Sequence, residues 1–189
     1  MNNYNIEKVA NAIIYFLDNK IEHFGKTKLM KIMFFSDKLH LQKYGRTIFN
    51  DEYYKYQRGP VAHLTLNILN SINEIENDDL KAYSDSLSSI VKLDIVNDNG
   101  EKITSFIPQQ NFNNTLFSKS EISVFDTISE QYKAYTKEDI SKASHKLTEY
   151  INTKLNNIIP ELDMVEDTKM KEYIEYCYQE NSSFDKFVS

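Results

Sequence analysis

The chain has 189 residues, 41% hydrophobic and 13% aromatic, enough for one well-buried core and too apolar for a disordered segment. A formal charge of −6 disfavours general nucleic-acid binding, and the single Cys177 excludes an intramolecular disulfide or a cysteine zinc cage. The opening MNNYNIEKVA has no basic stretch leading into an apolar one, and no run approaches membrane-spanning length, so a cytoplasmic protein is expected.

Asn5 is placed to cap a first helix from about Ile6 to Asn19, with Val9, Ala10, Ile13, Phe16 and Leu17 on one face. After Gly25, Thr27 opens a second helix, KLMKIMFFSDKLHLQKYG, ending at Gly45, a natural left-handed cap. Its first half is apolar nearly all round, which predicts a central helix. Lys28, Lys31 and Lys38 share a stripe, so any solvent-facing edge is expected to be basic.

RTIFNDEYYKYQ reads as a turn at Asn50-Asp51 and a short extended piece. Gly59-Pro60 reads as a sharp entry to a third helix, with Gly59 as N-cap and Val61, Leu64, Ile68 and Leu69 on the apolar side. The acidic stretch NEIENDDLKAYSDSLS reads as loop-like, with room for one helical turn. SIVKLDIVNDNGEKITSFI reads as the one β-hairpin, around residues 90–107, with NDNG supplying the turn.

Ser118 to Glu121 is a capping box opening a helix to about Tyr132, and Thr136 to Asp139 opens another through ISKASHKLTEYI. Asp167 caps a final helix, DTKMKEYIEYCYQE, and residues 181–189 read as a flexible tail. The expected fold is mainly α: a single helical domain over residues 1–180, of about five to seven helices with one small β-hairpin.

Chemistry is sparse. The four His are scattered, and only His145 and Glu149 share a helical spacing suited to two metal ligands. Four Gly leave no phosphate-cradling loop, and Cys177 between two Tyr reads as a packing residue. No catalytic residue, metal or cofactor is expected.

Charge is unevenly spread. Residues 1–60 carry a balance of +4, residues 61–137 of −5 and residues 138–189 of −5. Arg occurs only at Arg46 and Arg58, beside Gly45 and Gly59, in a chain that otherwise uses Lys. A planar, multidentate donor at those points can fasten loop carbonyls or anchor a partner.

Two blocks together resemble the Panacea antitoxin domain, also called the SocA-like antitoxin domain: residues 26–74 and 117–153. In the first block the resemblance rests on Leu29, Lys31, Phe34, Phe35, Tyr44, Gly45, Phe49, Asp51, Tyr56, Gly59, Pro60 and Val61. The second, FSKSEISVFDTISEQYKAYTKEDISKASHKLTEY, contains the pair Ser144-His145. Tyr56 and Tyr150 stand where the family is expected to carry Trp, and Arg58 where it more often carries Tyr.

The resemblance implies an antitoxin, phage-associated in its gene context, that neutralises an adjacently encoded toxin by direct protein–protein binding. In one branch of the family the antitoxin also delivers its toxin to a protease. The residues it singles out are Arg46, Tyr56, Arg58, Gly59, Pro60, Val61, Ser144, His145 and Tyr150. If the toxin acts on nucleic acid, the acidic residues 61–189 are suited to covering a basic active surface. The alternatives are a hydrolase or transferase using His145 or His63, and a nucleic-acid regulator working through the basic N-terminal third.

Overall fold

Asn5 takes an extended backbone and its side chain accepts from the Lys8 amide, which starts α1 (Ile6–Asp18). The apolar face of α1 is fully buried at Val9, Ala10, Ile13 and Phe16. α2 (Lys26–Tyr44) runs through the centre, every residue from Lys28 to Lys38 buried, and closes at Gly45 with φ 71°. These details come from a computed structural model that describes residues 4–72, 78–98 and 101–188. Among them the chain is mainly α, with eight helices and two small antiparallel strand pairs.

The lysine stripe of α2 is not a basic edge. Lys28, Lys31 and Lys38 are all buried. The Lys28 ammonium donates to the carbonyls of Glu22, Lys133 and Tyr135, at 2.6, 3.1 and 2.5 Å. That of Lys31 donates to the Pro60 carbonyl at 2.8 Å, and that of Lys38 pairs with Glu149 at 2.7 Å. A helix packed on several sides buries its polar face too, and its lysines then become ties to neighbouring backbone.

Gly59-Pro60 does not begin a helix. β1 (Tyr53–Tyr56) and β2 (Gly59–Ala62) form a tight hairpin in which Tyr56 faces Gly59 and Lys55 faces Pro60. Gly59 closes the turn at φ 107°, a conformation that L side chains rarely adopt. The Lys55 amide donates to the Asn157 carbonyl and the Lys55 carbonyl accepts from the Asn156 amide, so both point away from β2. Lys55 and Pro60 are therefore a pair that exchanges no hydrogen bonds, and the missing proline N–H costs the ladder nothing.

α3 (His63–Ser71) starts after the strand. Its cap comes from Asp51, which accepts from the Leu64 and Thr65 amides at 3.0 and 2.8 Å and from the Thr65 hydroxyl at 2.7 Å. A carboxylate from an earlier segment thus does what Gly59 was expected to do.

The acidic stretch expected to be a loop contains α4 (Asp78–Ile90), while residues 73–77 lie outside the described residues. Among its described side chains the inner face carries Leu80, Ser84, Leu87 and Ile90, and the small Ser84 hydroxyl meets that of Ser71 at 2.6 Å. A buried serine conceals an apolar stripe from a periodicity count. β3 (Val91–Asp98) and β4 (Glu101–Pro108) form the expected hairpin, in register from Val91 opposite Pro108 to Asp98 opposite Glu101. Its turn residues, Asn99 and Gly100, lie outside the described residues.

Both capping boxes are present, at Ser118/Glu121 for α5 (Lys119–Tyr132) and Thr136/Asp139 for α6 (Lys137–His145). The helix expected to continue through Ile151 instead stops at His145 and restarts as α7 (Thr148–Asn152). Asp167 accepts from the Met170 amide at the start of α8 (Thr168–Val188). Phe16, Phe34, Phe49 and Phe125 are fully buried, with Phe16 and Phe125 ring centroids 5.1 Å apart. Among the described residues no helix is long and apolar enough to cross a membrane.

Candidate functional site

The break between α6 and α7 turns the second sequence block back onto the β1–β2 hairpin of the first. A Cβ at Gly59 would lie 2.5 Å from Ser144 Oγ and 2.6 Å from Lys31 Cε. Glycine at 59 is therefore required twice, by the positive φ and by the approach of α6 and α2. Ser144 is buried and its hydroxyl donates to the Ser141 carbonyl at 2.8 Å, which keeps the serine tight against its own helix.

His145 stacks on Tyr150, centroids 4.8 Å apart and planes at 9°. The Tyr150 hydroxyl donates to the Tyr56 carbonyl at 2.8 Å, and the Lys55 ammonium stands 4.5 Å above the same ring. One aromatic platform thus ties the short α6–α7 turn to the hairpin tip. Burial lowers the His145 pKa, and Lys31 and Lys55 nearby push the same way, while the Arg58 backbone partly opposes them. Its Nε2 is buried with no hydrogen-bond partner.

Beneath the hairpin, Lys31 is the most unusual group of the corner. It is 1% exposed, and burial lowers its pKa from 10.5 to about 7. It holds a carbonyl, not a carboxylate. Such a lysine locks β2 to α2 at the cost of desolvating an ammonium.

Most of the residues singled out in sequence therefore converge. Gly59, Pro60, Ser144, His145 and Tyr150 meet at this corner, Tyr56 receives the Tyr150 hydroxyl, and Val61 is buried in β2. Arg58 sits exposed in the turn of the hairpin. Arg46 lies elsewhere: its carbonyl bonds His40 Nδ1 at 2.7 Å and its guanidinium lies 3.5 Å from Glu121. It lines an open cleft of about 460 Å³ with Asn50, Glu52, Tyr53, Ile158 and Tyr178.

The His145–Glu149 pair does not form. The helix ends between them, and Glu149 is buried against Lys38. Among the described residues no group of three His, Cys, Asp or Glu could hold a metal ion. His63 packs against Tyr54 at 4.5 Å, with Asn67 at 3.5 Å from its Nε2.

Sequence reasoning missed the surface beside the corner. Ile151, in α7, and Leu155 and Ile158, on the stretch that leads from it to pair antiparallel with β1, are 60%, 54% and 44% exposed. The signal was three large aliphatics within a stretch otherwise rich in Asn, Thr and Lys.

A family model, the antitoxin SocA-like Panacea domain, matches residues 29–151. No curated protein and no solved structure matches the chain. The chain belongs to the SocA-like Panacea antitoxin family.

Proposed function

We propose that this member of the SocA-like Panacea antitoxin family neutralises an adjacently encoded protein toxin by direct, stoichiometric contact in the cytoplasm. The observation that carries the reading is the family match over residues 29–151, which spans both blocks of the corner. The geometry supports a binding role. A rigid platform of Lys31, Gly59, Ser144 and Tyr150 holds an exposed hairpin tip next to exposed aliphatic side chains. Aromatic anchors and Arg beside apolar surface are what protein interfaces select.

The lysines that would have served a nucleic-acid regulator are buried and engaged with carbonyls or carboxylate. His145 is stacked on Tyr150, and burial together with the nearby Lys31 and Lys55 favours its neutral form.

The test is growth rescue with recovery of the complex. The adjacent open reading frame is expressed alone, then with this chain, and the pair is purified through a tag on one partner. Toxicity that disappears, with both chains recovered in fixed ratio, is the expected result. A harmless neighbour, or toxicity that persists with nothing co-purifying, overturns the reading.

A further inference from the structure

The segments that frame the corner reverse the charge of the molecule. Residues 53–63 and 142–158 carry Lys55, Arg58, Lys142, Lys146 and Lys154, and their one carboxylate, Glu149, is buried against Lys38. Arg58, Lys142, Lys146 and Lys154 are exposed, and none of the five pairs with a carboxylate among the described residues. Carboxylates resume at the borders, at Glu52, Asp139 and Glu161, and Asp139 lies near enough to Lys142 to feel its charge. A basic face on a chain of net charge −6 is a local arrangement, not a consequence of bulk composition.

We infer that this face docks an acidic segment of the partner toxin, an inference that rests on the toxin-neutralising reading. Three features fit such an occupant. Lys55, Arg58, Lys146 and Lys154, which form no ion pair among the described residues, supply charge complementarity, which steers encounter and fixes register. The exposed Ile151, Leu155 and Ile158 supply apolar area that a carboxylate-bearing protein surface covers and a phosphate backbone does not. The support is already ordered: the Lys55 ammonium is held over Tyr150 and 3.3 Å from the Ile151 carbonyl, and the Lys55 backbone pairs with Asn156 and Asn157. Little freedom is then lost when a partner arrives.

The experiment uses the full chain and the product of the adjacent open reading frame, titrated at low and at moderate salt. A charge-reversed variant, Arg58→Glu with Lys154→Glu, is compared with Lys169→Glu/Lys171→Glu, which makes the same net change on α8. Unchanged thermal melting shows that each variant is folded. The first variant is expected to weaken binding by about 30-fold or more at low salt and to flatten the salt dependence, and the second to change it by about 3-fold or less.

If wild-type protein binds and both variants bind equally well, this inference is overturned while toxin neutralisation stands. If wild-type protein neither binds nor rescues growth, the toxin reading fails and the inference with it. Retention of wild type on duplex DNA at moderate salt, lost in the first variant with toxin binding intact, would make the occupant a nucleic acid and also overturn it.

Discussion

Gly59 and Ser144 come from separate sequence blocks, yet a single added methyl on Gly59 would stand 2.5 Å from the Ser144 hydroxyl oxygen. That contact makes the hairpin of the first block and the helix end of the second one structural unit. Gly59→Ala tests it. Strain at φ 107° and overpacking against α6 and α2 each cost about 1–3 kcal/mol, so a loss of about 3 kcal/mol is expected in chemical denaturation. Gly25→Ala meets only the Thr104 carbonyl at 3.0 Å, at an ordinary negative φ, and should cost less. Equal losses would show that Gly59 is not specially constrained.

Lys31 predicts a pH dependence with a definite sign. Its pKa falls from 10.5 to about 7 on folding, so between those values the unfolded chain binds more protons than the folded one. The Lys31 contribution to stability therefore improves as pH rises from about 7 towards 10.5, and is worst below pH 7. Lys31→Met removes this dependence. The stability of Lys31→Met relative to wild type should be greatest near pH 6 and decline towards pH 9, as read by urea denaturation across that range. A difference independent of pH would sink the argument.

Asp51 caps α3 across the chain, accepting two amides and a hydroxyl. Asp51→Ala leaves those donors in a buried place and is expected to cost about 2–3 kcal/mol. Asp51→Asn keeps one acceptor oxygen and should recover part of the loss. Amide exchange localises the effect: Leu64 and Thr65 should lose protection before the helices of the core.

Glu149 and Lys38 form a buried ion pair at 2.7 Å, with the exposed Glu166 as a further neighbour of Lys38 at 3.6 Å. Glu149→Ala leaves a buried ammonium with only the exposed Glu166 at 3.6 Å, and a cost of about 3 kcal/mol is expected. The double change Glu149→Ala with Lys38→Met should restore most of it, because the penalty belongs to the unpaired charge. A double variant as unstable as the single would refute that account.

Tyr150→Phe removes the hydroxyl that donates to the Tyr56 carbonyl while keeping the ring under Lys55 and against His145. A stability loss of about 1 kcal/mol is expected. Faster amide exchange should be confined to the β1–β2 hairpin, since the rest of the platform stays in place.

Features that depend on neighbours in the chain were legible from local pattern. The Asn5 cap, the Gly45 stop, both capping boxes and the β3–β4 alternation involve partners a few residues apart, so local pattern was enough. The resemblance to the family was legible for the same reason, being carried by short runs of residue types. Tertiary structure decided what depends on partners far along the chain. Lys28, Lys31 and Lys38 read as a solvated stripe because nothing local shows the carbonyls of Glu22, Lys133 and Pro60, or the Glu149 carboxylate, that receive them. Gly59-Pro60 read as a helix start because a glycine followed by proline suits a helix entry, whereas here Gly59 closes a turn and Pro60 is tolerated at a strand position that exchanges no hydrogen bonds. Only the pairing of Lys55 with Asn156 and Asn157, and Asp51 taking the cap of α3, separates the turn from the helix entry. α4 was hidden by serine at an inward position, where burial is set by the facing Ser71 and not by hydrophobicity. Charge and apolarity along a chain fix local preference; which of those groups meets water is settled only when distant segments close over them.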